Sequence, residues 1–491
     1  MKRFGLFVVA TLWLQACGHA RAPLPLPEVP FSRTPDPDAA FRRKPPEPLA
    51  LGSVWQEPRV QRRTLPNGME LMVVEQPGLP VARIRYLNRV AGRFTDPEHP
   101  GIARVTASSL LNGTMLPNNQ VSTHLTVVGQ SPWVSTSLFG TEVGISVFSP
   151  ATESGIEALA RVVRYPVLDT RAVTGAIEHN VRREYENSKT VERAVHGLKI
   201  GTLYGWGHLW AMGAPALQEA VRSLEVQQVR SFYTATYQPE HSALVVVGDV
   251  AADQVFAWAT AQFGGWQGGL ARNPVHQPLV SQAQSRMVHA VYSIGDQTTL
   301  RVLVPAVEVN HPDFPAFELL REIFVGSSLF KSRAVVALRH QQGSTYGVTG
   351  ELVRVPGGAY LQIALAVDND GLTEAVRTLR KEIKRIAAEG VGQGELDRAR
   401  RACLAALHTG RTGERIELLS SRFLQGLSEG SVREFEERIA TLGSEDIRRV
   451  VAKYVEPERL DVIAVGNTYA TIRSLQRIGR RVDEYYVKTK D

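Results

Sequence analysis

The stretch Leu224–Asp249, LEVQQVRSFYTATYQPEHSALVVVGD, is echoed by Leu442–Asn467, LGSEDIRRVVAKYVEPERLDVIAVGN. Each reads as a helix, then Tyr and Pro, a short polar turn, an apolar strand and a closing Gly or near-Gly position. Pro239 and Pro457 stand 218 residues apart, as do Gly248 and Gly466. An earlier pair repeats at an offset of 212: His99-Pro100 opens HPGIARVTASSLLNG, and His311-Pro312 opens HPDFPAFELLREIFVG. Two landmarks at nearly one offset define two homologous halves of roughly 215 residues, a period far longer than that of any solenoid.

Working outward, each half mixes strands and helices. Asn67-Gly68 reads as a hairpin turn between apolar runs. Val81–Leu87 alternates, with Ala82, Ile84 and Tyr86 on one face. Ser154–Val163 and Thr174–Asn187 are helical in pattern. Leu372, Val376, Leu379, Ile383 and Ile386 recur at helical spacing, with Gly390 as the stop. Leu244–Val247 and Val462–Val465 are short apolar strands rich in branched residues. The expected class is α+β: two homologous domains, each a mostly antiparallel sheet packed with helices.

A chain of 491 residues is too long for one core, since single domains stop growing near ~250–300 residues. Its 43% hydrophobic and 21% charged residues are globular values and exclude wholesale disorder. The net charge of +7 is spread without a long basic run, which argues against a nucleic-acid partner. Two cysteines exclude a disulfide framework and a thiolate zinc cluster.

Lys2 and Arg3 precede an apolar run from Phe4 to Leu14. It is too short to span ~30 Å of hydrocarbon and fits a secretory signal peptide. Leu14-Gln15-Ala16-Cys17 is similar to the lipobox of bacterial lipoproteins, in which cleavage leaves a lipidated N-terminal cysteine. Residues 1–16 are therefore expected to be the signal and Cys17 the lipidation site. Gly18, where inner-membrane retention would favour Asp, implies the outer membrane facing the periplasm. Nine prolines lie between Pro23 and Pro48; they prevent helix and sheet and make residues 17–52 a semi-rigid tether. If Cys17 is lipidated, Cys403 is the remaining thiol, and its helical context reads as a buried structural residue.

Three strings carry a family resemblance: LPNGMELMVVEQPGLPVARIRYLNRVAGRFTDP (Leu65–Pro97), FYTATYQPEHSALVVVGDV (ending at Val250) and LRHQQGSTYGV (Leu338–Val348). Together, in order across both halves, they resemble the M16 (insulinase or pitrilysin-like) metallopeptidases. The resemblance implies an M16 N-terminal-like domain over 53–265 and an M16 C-terminal-like domain over 284–491, and the Gly, Asn and Pro of 266–283 read as the linker between them. It also implies a clam-shell chamber that takes unfolded peptide as an extended strand.

Family members carry zinc on His-Xaa-Xaa-Glu-His plus a distal Glu, the motif's Glu being the base for the attacking water. The matching stretch here is Gly101–Thr114, GIARVTASSLLNGT. Arg104 takes the first His position, Ala107 the base and Ser108 the second His. Arg has no lone pair to offer, Ala accepts no proton and Ser is a poor zinc ligand. The motif occurs nowhere else in the chain. Glu184, in AIEHNVRREYENS, matches the third-ligand position. His179, one turn away, reads as a lone surface histidine. Loss of the metal would leave Glu184 as a buried anion, so Arg104 is expected to converge on it.

Arg339 and Tyr346 keep the family's Arg/Tyr spacing. In the family such residues donate hydrogen bonds to the substrate backbone near the scissile bond; the alternative is an Arg at a helix end and a Tyr packed at a strand start. Val134, Ser135 and Thr136, in Trp133–Ser137, match a strand whose edge pairs with peptide, and read without the resemblance as an exposed strand only.

Three functions follow. The first is a non-catalytic, peptide-binding subunit, without metal of its own, that complements a zinc-bearing M16 partner in proteolysis. The second is a stand-alone peptide-binding or structural pseudoenzyme. The third is a zinc metalloendopeptidase with atypical ligands.

Overall fold

The computed structural model describes residues 59–93, 95–114, 129–188, 190–205, 214–269, 287–291, 297–326, 331–407, 412–428, 430–466, 468–478 and 482–486. The signal peptide, Cys17 and the proline-rich tether lie outside these residues, as does most of the 266–283 linker. The chain from Trp55 to Asp491 forms one compact unit.

Two six-stranded sheets organise that unit. The first contains β1 (Gln61–Thr64), β2 (Glu70–Glu75), β3 (Val81–Asn88), β4 (Trp133–Thr136), β5 (Thr141–Phe148) and β6 (Ser242–Gly248), in the order β1-β2-β6-β3-β5-β4. The second contains β7 (Met287–Val291), β8 (Gln297–Ala306), β9 (Val348–Val355), β10 (Gly358–Asp368), β11 (Asp461–Gly466) and β12 (Val482–Tyr486), in the order β12-β7-β11-β8-β10-β9. In the first, only β2 and β6 pair in parallel; in the second, β7 pairs in parallel with β11 and with β12. The antiparallel-rich α+β class is as expected.

Local sequence explains the elements. The Asn67-Gly68 turn joins β1 to β2, with Gly68 at φ 87°, a conformation L-residues resist. Ala82, Ile84 and Tyr86 alternate into the core of β3 and are fully buried.

The described helices in the first half are α1 (Ile102–Thr114), α2 (Thr152–Arg164), α3 (Thr170–Ser188), α4 (Val191–Tyr204), α5 (Ala214–Arg222), α6 (Val226–Thr236) and α7 (Ala252–Phe263). Those in the second are α8 (Phe314–Val325), α9 (Arg333–Val335, continuing as a π-helical turn over Val336–Gln341), α10 (Leu372–Glu389), α11 (Gln393–Leu407), α12 (Thr412–Leu424), α13 (Ser431–Thr441), α14 (Ser444–Tyr454) and α15 (Thr468–Gln476). Leu372, Val376, Leu379, Ile383 and Ile386 form the buried stripe of α10, and Gly390 closes it at φ 73°.

Each half covers a sheet face of the other. Ile416, Leu419, Phe423 and Leu424 of α12 pack on Met72, Val74, Leu87, Val245 and Val247 of the first sheet. In return Leu198 and Tyr204 of α4 share a core with Leu303, Val355, Tyr360, Ile463 and Val465 of the second. Polar contacts pin the exchange: Tyr204 Oη donates to Pro356 O at 3.2 Å, and Lys199 Nζ to Gln362 Oε1 at 3.0 Å. Arg301 pairs with Glu192 at 2.5 Å, and Arg85 with Glu417. Burying these apolar faces, at about 25 cal/mol per Å², is the main force joining the halves.

Candidate functional site

Helix α1 starts where Asp96 receives the backbone N–H groups of Glu98 and His99 at 3.1 and 3.2 Å. Gly101 follows at φ 87°, and a Cβ there would stand 2.6 Å from Val221, so only glycine lets the helix enter at this angle. The helix then runs antiparallel to α3, and the degenerate positions meet it in successive rungs.

Arg104 Nη1 donates to Glu184 Oε1 at 2.7 Å, with side chains 9% and 4% exposed. One turn along, Asn180 Nδ2 donates to Ser108 Oγ at 3.1 Å and to Ala176 O at 2.8 Å. One turn further, Asn112 Nδ2 reaches Ala172 O at 3.3 Å. Ala107 is buried and offers only a methyl group. His179 faces solvent, away from these rungs.

The expected convergence of Arg104 on Glu184 is therefore present. Asn180 was not read from the sequence. Its signal is its place in AIEHNVRREYENS, four residues before Glu184 and on the same helical face.

Zinc does not fit these residues. The one carboxylate among the four matching positions is engaged by a guanidinium, and the other three offer a cation, a methyl group and a hydroxyl already bonded to an amide. Among the described residues, no three His, Cys, Asp or Glu side chains group so as to hold a metal ion. With no base at Ala107 and no Lewis acid held, this set of side chains cannot activate water. It can close the space between two helices and fix their spacing.

The Arg/Tyr pair stands in the second half, in the turn and loop that lead into β9. Arg339 lies in the π-helical turn Val336–Gln341 rather than in a plain helix end; such turns recur at functional positions. Gly343, at φ 64°, reverses the chain, and Ser344 N donates to Leu338 O at 3.0 Å. Buried Thr345 ties the loop down, its Oγ1 donating to Ala366 O at 2.6 Å. Tyr346, held between Thr345 and Gly347, projects outward at 91% exposure, so it does not pack at the start of β9. The guanidinium of Arg339 stands 5.5 Å from its ring centroid, a cation–π contact that groups the two donors.

Val134, Ser135 and Thr136 lie on β4, the edge strand of the first sheet. Val134 is opposite Val143, Ser135 opposite Glu142 and Thr136 opposite Thr141 on β5. Thr136 is buried and Ser135 exposed. Among the described strands nothing pairs with the outer side of β4, and α1 packs against this strand. The edge thus adjoins the helix that carries Arg104, whereas Arg339 and Tyr346 belong to the second half.

Comparison with known proteins agrees with this fold. Residues 223–403 match the family model Peptidase_M16_C, the peptidase M16 inactive domain. A peptidase M16 inactive domain from Pseudomonas fluorescens superposes with a TM-score of 0.71 at 18% identity, covering 83% of this chain and 98% of that one. A protease from Helicobacter pylori gives 0.73 at 14% identity, covering 83% and 100%. The first half of the periplasmic protease PqqL from Escherichia coli gives 0.69 at 15% identity, covering 88% and 99%. No curated protein sequence matches at a significant level. The chain has the fold of the M16 peptidases, and its residues 223–403 are similar to that family's inactive domain.

Proposed function

We propose that this chain is a non-catalytic M16 subunit that binds extended peptide and completes the active site of a zinc-bearing M16 partner. The observation that carries the reading is the contrast between two positions in one molecule. Arg104 and Glu184 close the metal position with a buried ion pair, while Tyr346 beside Arg339 is presented to solvent on an anchored loop. A residue kept only for packing would not project at 91% exposure.

In the partner's chamber, Arg339 and Tyr346 donate hydrogen bonds to the substrate backbone, and the β4 edge offers unpaired backbone groups to the same strand. Zinc and the general base come from the partner. A setting in the cell envelope, by lipid on Cys17 and the proline-rich tether, accords with the periplasmic PqqL among the structural neighbours.

The test is turnover of the reconstituted pair with Arg339→Ala and Tyr346→Phe. Each is expected to lower turnover by ~10²–10³ without preventing assembly, the scale of one lost transition-state donor. Unchanged turnover in both would leave the pair a structural feature. Failure to find any zinc-bearing partner on co-purification from membranes would favour a stand-alone pseudoenzyme. Tight stoichiometric zinc in the isolated chain would favour a peptidase with atypical ligands.

A further inference from the structure

A cavity of ≈ 370 Å³ opens in the second half, between α8, α11, α12 and α13 and the end of β9. Its lining carries four arginines, Arg321, Arg354, Arg422 and Arg438, against two glutamates, Glu318 and Glu434. Glu318 is shared. Its Oε2 accepts from Arg321 Nε at 2.9 Å, while its Oε1 lies 3.7 Å from Arg354 Nη2, beyond hydrogen-bond reach. Arg321 holds a second carboxylate, Glu322, at 2.8 Å. Among the described residues Arg354 meets no such second carboxylate. Its remaining contacts are Gln425 Oε1 at 3.3 Å and the face of Phe314, 5.2 Å from the guanidinium. Burial pulls the Arg354 pKa below the ordinary guanidinium value, with Glu318 opposing. A partly buried cation with only a share of an anion favours any further anion that can reach it.

The rest of the lining mixes apolar side chains with the polar Asn310, His311, Ser421, Ser428 and Ser431. Phe314, Leu418, Leu427 and Phe435 supply the large apolar surface. The Cys403 thiol also borders the cavity, but burial pushes its pKa up to about 12, so it is no nucleophile at neutral pH. The cavity has the composition of a binding pocket, with an apolar body and a few convergent charges.

We infer that this cavity is a binding site for a small organic anion, its carboxylate or phosphate head held by Arg354 with Arg321, and its apolar body laid against Phe314 and Phe435. It is separate from the Arg104–Glu184 position and does not depend on the partner proposed above. Glu318 is then an internal competitor for the same guanidiniums, which gives the site a signature that a purely structural ion-pair cluster lacks.

The experiment is calorimetric titration of the full chain with inorganic phosphate and, separately, phenylacetate, each at low and high salt. Saturable binding weakened by salt is expected. Phenylacetate binding tighter than phosphate assigns the site to carboxylates with an apolar body; the reverse order assigns it to phosphate heads. Arg354→Gln should weaken either probe about tenfold, the loss of one charge-assisted donor. Glu318→Gln should strengthen binding, even if it lowers the melting temperature of the unliganded chain. Absence of saturable binding by both probes, or equal affinity in wild type and both variants, overturns the assignment.

Discussion

Arg104 and Glu184, far apart in sequence, meet at 2.7 Å between antiparallel helices with almost no exposure to solvent. A cation stands where the metal-binding relatives of the sequence pattern place a ligand, and it neutralises the carboxylate that remains. The carboxylate is balanced by a cation that can hold no metal.

Removing one partner of that pair leaves a buried charge behind. Arg104→Ala is expected to cost about 3–5 kcal/mol of unfolding free energy, as is Glu184→Ala. The double change Arg104→Met with Glu184→Leu should return to within ~1–2 kcal/mol of wild type. Urea denaturation of the three variants measures this; additive losses would mean that the two residues do not act as a pair.

The closed position should be convertible. Arg104→His, Ala107→Glu and Ser108→His together restore His-Xaa-Xaa-Glu-His opposite Glu184, with the ligand types that zinc requires. The triple variant is expected to bind one zinc per chain, read by metal analysis after dialysis, while the wild-type chain binds none tightly. A triple variant that folds but takes up no metal would show that helices α1 and α3 have shifted from the spacing a metal needs.

Asp313, just before α8, accepts from Arg449 Nη2 at 2.6 Å and Tyr454 Oη at 2.8 Å. The Arg449 hydrogen bond is the chief reason its pKa falls from 3.8 to about 2. A folded-state pKa below the unfolded one gives stability that is present above pH ~4 and lost as the pH drops toward 2. Arg449 is half-exposed, so the contribution is on the order of 1 kcal/mol. Urea midpoints between pH 5 and 2 should fall less steeply in Asp313→Asn than in wild type.

Cys403 is buried and its thiol is held up to about 12 by desolvation. Iodoacetamide at neutral pH should leave it unmodified in the native chain and alkylate it fully in urea. Peptide mapping by mass spectrometry gives both numbers.

Ile416 is fully buried between α12 and the first sheet. Ile416→Ala is expected to destabilise by about 2–5 kcal/mol, even though it lies outside either sheet. Thermal unfolding should show the loss as one cooperative transition of both halves rather than an early transition of one.

The strands and helices were legible because their periodicity is local: Ala82, Ile84 and Tyr86 alternate, and the α10 stripe repeats every three to four residues. The convergence of Arg104 on Glu184 was legible because a buried carboxylate without its metal needs a cation. What stayed hidden depends on non-local geometry. Asn180 meets Ser108 only because α1 and α3 run antiparallel in that register. The π-helical turn that carries Arg339 leaves no mark in composition, and its sequence reads as an ordinary helix end. The arginine cavity gathers residues from α8, β9, α12 and α13, each an unremarkable surface charge in its own segment.

The exchange of covering helices bears on how the chain is born. Strands β1 to β6 are complete once Gly248 has left the ribosome, yet the face formed by Met72, Val74, Val245 and Val247 gains its cover only when α12, ending at Leu424, has emerged. The first half therefore waits, with a greasy sheet face open, through most of the synthesis of the second. During that interval the exposed face invites aggregation, and a chaperone that shields it would act on a schedule set by the distance from β6 to α12 along the chain.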